Sequence, residues 1–557
     1  MLTQYRTMFG ALVLGLLLTA ATPDSRTVPV DPLPATHTAS FLEDEDDPTF
    51  LTADRCIACH KGVSTSQGVD VSIGFDWRAS MMANAARDPY WQAAVRRELI
   101  DYPEASEVIE DKCSRCHMPM ANEMERRADG TGHVFANLPI GESEHETATL
   151  AADGVSCAAC HQIEPDGLGT EDSFTGNFSV ATESPAEGRI VYGPFEPDAG
   201  GQGIMHSATG FRPAEGSHLQ SSQLCASCHT LFTHAVRPDG ESGPEFPEQA
   251  PYLEWEVSAF AEEGTSCQDC HMPVVEEPVP VTRVLGRDRE EVSRHVFRGG
   301  NFFMIRMLNR YRDELGVTAL PQEMALAAQR TEEHLRSSTV DLALETPARA
   351  QGRVEVAVTL TNTAGHKFPT AYPSRRAWLH LTVQDAQGRA VFESGAFMPD
   401  GRIVGNDNDQ DPTRYEPHYT RITSSDEVQV YEAVMADRGG DVTTGLMTAE
   451  TWVKDNRLLP RGFSAAEGGS RVATRGSATA DGDFAPGSDR VLYSVAVDEA
   501  AGPFSVTAEL VFQPIGYRWA ENLSDYDAFE TQRFVRYYRS MSETSALVIA
   551  EARATVR

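Results

Sequence analysis

Five times in this chain two cysteines separated by two residues are followed at once by a histidine, and these five copies use all ten cysteines. They are Cys56-Ile-Ala-Cys59-His60, Cys113-Ser-Arg-Cys116-His117, Cys157-Ala-Ala-Cys160-His161, Cys225-Ala-Ser-Cys228-His229 and Cys267-Gln-Asp-Cys270-His271. Two thiols at this spacing add to the two vinyl groups of one porphyrin, and the next residue offers its imidazole to the iron. Cys-x-x-Cys-His is therefore the attachment signature of c-type haem. Disulfides would not demand a histidine after every second cysteine. Zinc sites pair two Cys-x-x-Cys units about 15–20 residues apart, whereas successive units here start 57, 44, 68 and 42 residues apart. The sequence predicts five covalent haems, with the ten cysteines as attachment points and His60, His117, His161, His229 and His271 as proximal iron ligands.

The span from Cys56 to His271 is 216 residues. So little polypeptide cannot enclose five porphyrins one by one, so the macrocycles must cover one another, and ligand choice, burial and spacing become the protein's means of setting potentials. Haem contacts replace much of the ordinary core, and a loop-rich, mainly helical region is expected.

A six-coordinate iron needs a second axial ligand. Sixteen histidines less the five in the motifs leave eleven. His295 precedes Gly299 and Gly300, which allow close approach of backbone to a flat ring. His206 and His218 lie in the loop-rich stretch before the fourth motif. His366 ends a predicted strand, with Pro369 fixing the turn after it. These four are the preferred distal ligands, and His133 and His145 come next. Met82, in Ser80-Met81-Met82-Ala83, is a further possibility, since a thioether raises haem potential relative to a second imidazole; the alternative is gap filling between rings. His234 is awkward for its own iron, being five residues past His229. His37, His334, His380 and His418 are expected to be structural or exposed.

The first 21 residues hold one basic residue, no acid, and the apolar run ALVLGLLLTA from Ala11 to Ala20. That reads as a signal peptide, about ten apolar residues being too short to span a membrane. Residues 22–48 are an acidic, Pro-rich linker. Residues 49–337 form the haem domain, ending in two helices, the second opened by Pro321; the stretch from Trp77 to about Leu99 also reads as a helix. From residue 338 to 557 the period changes to two, as in Val354, Val356, Val358 and Leu360, and later Leu379, Leu381 and Val383. Val428–Val434, Val491–Val497 and Val506–Phe512 continue the pattern, which reads as an antiparallel β-sandwich. Ser464 to Asp489 reads as a mobile loop. The fold class is thus α+β. Against 47 Lys+Arg stand 82 Asp+Glu, a net charge of -35, which disfavours nucleic acid and anionic lipid and favours redox partners with basic docking patches. There is no phosphate-binding loop, nucleophile elbow or zincin motif.

Over residues 50–370 the chain resembles the cytochrome c-554/c-prime family of multihaem cytochromes. The resemblance rests on Gly154-Val-Ser-Cys157, Gly264-Thr-Ser-Cys267, His271-Met-Pro273 and the surroundings of His295 and His366. It implies stacked and perpendicular haem pairs, mostly with two histidine ligands, a β-sandwich after the haem region, and electron transfer as the task. Many relatives carry Ser-x-His-Ala where this chain has Ser80-Met81-Met82-Ala83, which puts Met82 in a ligand's place or leaves one iron open. An exported electron carrier, periplasmic or at the cell surface, is the favoured expectation, with no catalytic residue assigned. The alternatives are a multihaem oxidoreductase acting on a small nitrogen or sulfur compound at a five-coordinate haem, and a subunit of an extracellular cytochrome filament.

Overall fold

Helices begin where the sequence can cap them. In the computed structural model, which describes residues 49–181, 188–237, 242–497 and 500–557, helix α1 spans Pro89–Asp101. The Asp88 carboxylate accepts from Tyr90 N at 2.8 Å and Trp91 N at 3.2 Å, and Pro89 occupies the first turn, where its missing N–H costs nothing. The single helix expected from Trp77 to Leu99 is therefore interrupted: Ile73–Arg78 is one short helix, Ala85–Arg87 a 3₁₀ turn, and Asp88 is extended before its proline. The signal peptide, the linker and His37 fall outside the described residues.

Helix α2, Ser106–His117, ends in the second motif. The third, fourth and fifth motifs likewise close the short helices Cys157–His161, Ser222–His229 and Cys267–His271. In a helical turn residues three and four apart share a face, so both thiols and the histidine point the same way. Helix α3, Ala199–Thr209, is capped by Asp198 and stopped by Gly210 at φ 76°. Helices α4, Phe302–Arg310, and α5, Pro321–Ser338, match the expected pair. The carboxylate of Glu323 accepts from Leu320 N at 2.9 Å and fixes the start of α5.

After α5 come strands β1 Val340–Leu344, β2 Arg353–Asn362, β3 Arg376–Gln384, β4 Ala390–Ser394, β5 Ser488–Ala496, β6 Phe504–Gln513 and β7 Leu547–Val556. One sheet runs β4-β3-β6-β7, with Val430–Tyr431 also on β3; the other runs Arg421–Ile422, β5, β2, β1, with Ala348–Ala350 on β2. Pairing is antiparallel except between Arg421–Ile422 and β5. Val354, Val356, Val358 and Leu360 of β2 share one apolar cluster with Leu379, Leu381 and Val383 of β3 and Val506, Leu510 and Phe512 of β6. The same cluster takes in Tyr90, Phe302, Met307 and Leu335 from the helical region, and helix α6, Phe529–Met541, packs on α1. The change of element near residue 338 therefore lies inside one continuous core, and Thr49–Arg557 is one compact unit.

Two strand-region expectations change. Val428–Val434 is split: Val430–Tyr431 joins β3, while Ala433–Ala436 pairs with Thr451–Asp455 in a separate small sheet. Ser464–Asp489 is no plain loop; it has short helical turns at 465–471 and 476–480 and buries Val472 and Ala478 in the core. Its small residues suit tight packing as well as open chain. No described helix is long and apolar enough to cross a membrane.

Candidate haem-binding cavity

One cavity of about 1340 Å³ runs through the helical region, and all ten cysteines and all five motif histidines line it. Thiols of different motifs meet there. The thiol of Cys56 lies beside Cys157, that of Cys116 beside Cys228, and that of Cys225 beside Cys267. The fourth motif thus adjoins both the second and the fifth, and the first adjoins the third.

Backbone carbonyls orient most of the motif imidazoles. The Nδ1 of His60 pairs with Val281 O at 2.8 Å, His117 with Ala85 O at 3.1 Å, His161 with Tyr192 O at 2.5 Å and His271 with Arg298 O at 2.5 Å. Nδ1 then carries the proton, and Nε2 keeps a free lone pair for a metal. Trp91 of α1 stacks on His117 with ring centroids 4.3 Å apart.

Two further histidines face this set. His295 lies nearly parallel to His161, centroids 6.2 Å apart at 13°, and His366 lies nearly parallel to His271, 6.2 Å apart at 15°. Their Nδ1 atoms also pair with carbonyls, of Ser293 and Lys367. Imidazole nitrogens bind a transition metal at about 2.0–2.1 Å, so two rings across one ion have centroids roughly 6.3 Å apart. Both pairs have this separation. Burial first, then neighbouring imidazole, holds His295 down to about 3; burial above all brings His117 and His271 to about 4 and lowers His161 and His366. These rings are neutral at pH 7, the form that ligates iron. The donor set fits covalent haem: paired thiols, an imidazole beside each pair, and apolar walls.

The other candidates lie differently. Met82 lines the cavity beside Met81, its carbonyl accepting from Val155 N at 2.9 Å. His206 and His218 are outside the lining: α3 turns Ile204, Met205 and Ala208 inward, leaving His206 exposed with Nδ1 on Gly210 O at 3.1 Å. His218 uses Nε2 on Ile163 O at 3.0 Å. His133 and His145 also lie outside it, rings 5.8 Å apart, His145 bonding Thr147 Oγ1 at 3.0 Å.

Sequence reasoning passed over His334, expected to be structural or exposed. It is 8 % exposed, lines the cavity 5.7 Å from His271, and its Nδ1 has no hydrogen-bond partner. Its signal was the helical spacing of Met324, Ala328, Thr331 and Leu335, which buries that face of α5. His234, judged awkward for its own iron, lines the cavity too. Among acids, Glu248 faces the cavity, and burial pushes it up to about 8 despite Lys112.

The chain is similar to a penta-heme cytochrome c552 from Thermochromatium tepidum, with a TM-score of 0.51 and 16 % identity over 91 % of this chain and 99 % of that one. The fold resembles a multihaem cytochrome c. No family model matches the chain, and no curated protein does. The likeness extends over nearly all of both chains, so it takes in the sheets as well as the motif-bearing helices.

One other cluster of ligand-type side chains stands out among the described residues: His418, Asp481 and Asp489. The amides of Gln429 and Asn456 donate to His418 Nδ1 at 2.8 and 3.1 Å, and their oxygens accept from Tyr419 N and Glu432 N. With Nδ1 an acceptor, Nε2 carries the proton and donates to Asp481 at 2.9 Å. The cluster is satisfied as a hydrogen-bonded prop between loop and sheet.

Proposed function

We propose that the chain is an exported electron-transfer cytochrome carrying five c-type haems on Cys56/Cys59, Cys113/Cys116, Cys157/Cys160, Cys225/Cys228 and Cys267/Cys270. The observation that carries this reading is the single cavity lined by every thiol and every motif histidine. When bound, c-type haem supplies one-electron chemistry at an iron whose potential is set by its ligands and surroundings. In this chain His60, His117, His161, His229 and His271 would hold the irons as proximal ligands, and His295 and His366 would be the second ligands partnered with His161 and His271. Met82 remains the candidate on the cavity wall for a third distal position, while His206, His218, His133 and His145 would each have to give up their present surroundings to ligate.

The rest of the chain insulates. Strands β3 and β6 and helices α1, α4 and α5 close the apolar core around the cavity, and His366 is delivered from the segment between β2 and β3. We read the two sheets with their shared core as a β-sandwich and the whole as a relative of the c-554/c-prime cytochromes. The acidic surface would dock partner proteins through basic patches, in the periplasm or at the cell surface.

Low-temperature electron paramagnetic resonance of the oxidised, haem-loaded protein, integrated against total haem, tests the reading. A carrier gives low-spin iron throughout. A stoichiometric high-spin signal of one haem in five would point instead to an open, substrate-binding site.

A further inference from the structure

Arg375 lines the cavity. Its Nη1 donates to Thr370 O at 2.9 Å and its Nη2 to Asn301 Oδ1 at 3.1 Å, both neutral oxygens. No carboxylate among the described residues lies within ion-pair distance of it. That is unusual in a chain where acids outnumber bases 82 to 47. The next residue, Arg376, has a bidentate partner in Asp409 at 2.7 and 3.0 Å, and Arg457 has Asp455 and Glu254. Arg375 is half-buried on the cavity wall, and a guanidinium facing a largely apolar cavity without a counter-charge is costly, so proteins retain one where an anion arrives to meet it.

The surroundings hold the fork in place. A Cβ on Gly300 would press on the Phe512 ring at 3.3 Å and would touch Arg375 Cζ at 3.8 Å, so Gly300 lies directly against the guanidinium. The Arg375 charge is felt by both His229 and His366, all three residues lining the same cavity. Burial alone pulls its guanidinium down to about 10, which still leaves it charged at neutral pH.

We propose that Arg375 is a carboxylate receptor in the cavity wall, its remaining N–H groups binding either a haem propionate or a small free oxyanion of the same shape. A planar fork with two N–H groups already fixed presents the others in the geometry that carboxylates match. The inference rests on the haem-carrying reading, and only the source of the carboxylate is left for experiment to divide.

The test uses the holoprotein and its Arg375→Gln and Arg375→Lys variants. Haem content by intact mass comes first, since a chain without five haems would overturn the earlier reading and not this one. Reduction potentials are then measured by spectroelectrochemistry, and sodium acetate is titrated by calorimetry. If the carboxylate is a propionate, one potential falls in Arg375→Gln, less so in Arg375→Lys, and acetate shows no saturable binding to the unsubstituted protein. If it is a free oxyanion, acetate binds the unsubstituted protein saturably and at least about tenfold more weakly in both variants. Potentials unchanged in both variants, together with no saturable acetate binding, would overturn the proposal. Should Arg375→Gln fail to fold, Arg375→Lys decides alone, because it keeps the charge and loses the fork.

Discussion

Replacing Glu254 by glutamine should loosen the segment that presents His366. Glu254 is fully buried on the short helix Pro251–Glu256. Its carboxylate accepts from Lys367 N at 3.2 Å and from Thr370 Oγ1 at 2.5 Å, and it pairs with Arg457 at 2.8 Å. Two of these partners lie one and four residues after His366 in the chain, and the third keeps a second carboxylate, Asp455, also at 2.8 Å. Hydrogen bonds to a charged acceptor are worth about 1.5–3 kcal/mol and neutral ones about 0.5–1.5, so each of the two bonds loses roughly 1 kcal/mol when the charge goes. The Arg457 pair, half compensated by Asp455, loses a similar amount, for a total of about 3 kcal/mol. That is a factor of about a hundred in the unfolding equilibrium. Urea unfolding of the holoprotein followed by circular dichroism measures it, with the spin state recorded beside it. A Glu254→Gln protein within 0.5 kcal/mol of the unsubstituted one would refute the reasoning, and so would full destabilisation with no rise in high-spin iron.

Asp455 gives a pH dependence. Burial pushes its carboxyl up, but the charges of Arg457 and Lys367 more than reverse this and bring it down to about 2. The folded value lies below the unfolded one, so the stabilisation, about 2 kcal/mol, is present above roughly pH 4 and is lost as the pH falls towards 2. Asp455→Asn should flatten the acid-unfolding curve across that window; a slope equal to that of the unsubstituted protein would exclude the network as its cause. His295→Ala and His366→Ala should each turn one haem high-spin, whereas His334→Phe should turn none, and paramagnetic resonance separates the three. Replacing Cys113 and Cys116 by alanine should lower the intact mass by one haem beyond the substitutions themselves. A haem stoichiometry that stays the same would refute attachment there.

The α+β class could be read because each region advertises its period without help from tertiary contacts. Alternation in Val354–Leu360 and the proline and glutamate that open α5 are local signals, and local signals survive in a bare sequence. The thiols and motif histidines were equally plain, since one helical turn suffices to place all three groups of a motif together. Distal ligands are another matter. His295 and His366 reach their partners across 134 and 95 residues of sequence, and what singles them out is a ring-to-ring distance, which no spacing encodes. Gly299 and Gly300 marked His295 and the turn at Pro369 marked His366, but glycines surround His206 as well, whose place on α3 turns it outward.

His334 and Arg375 show the same limit from the opposite side. Helical spacing puts His334 near a buried face, yet burial alone does not distinguish an ordinary core histidine from one that looks into a cavity. Arg375 stands beside Arg376, and nothing in that doublet says which of the two has a carboxylate waiting. The sheet decides: β3 begins at Arg376, and its alternation sends Arg376 to Asp409 on one side, while Arg375, one residue earlier, is left on the cavity side with only neutral oxygens. A one-residue step thus separates a satisfied ion pair from an arginine whose partner must come from outside the polypeptide. That is why the groups most informative about what enters this cavity are those whose local sequence looks least remarkable.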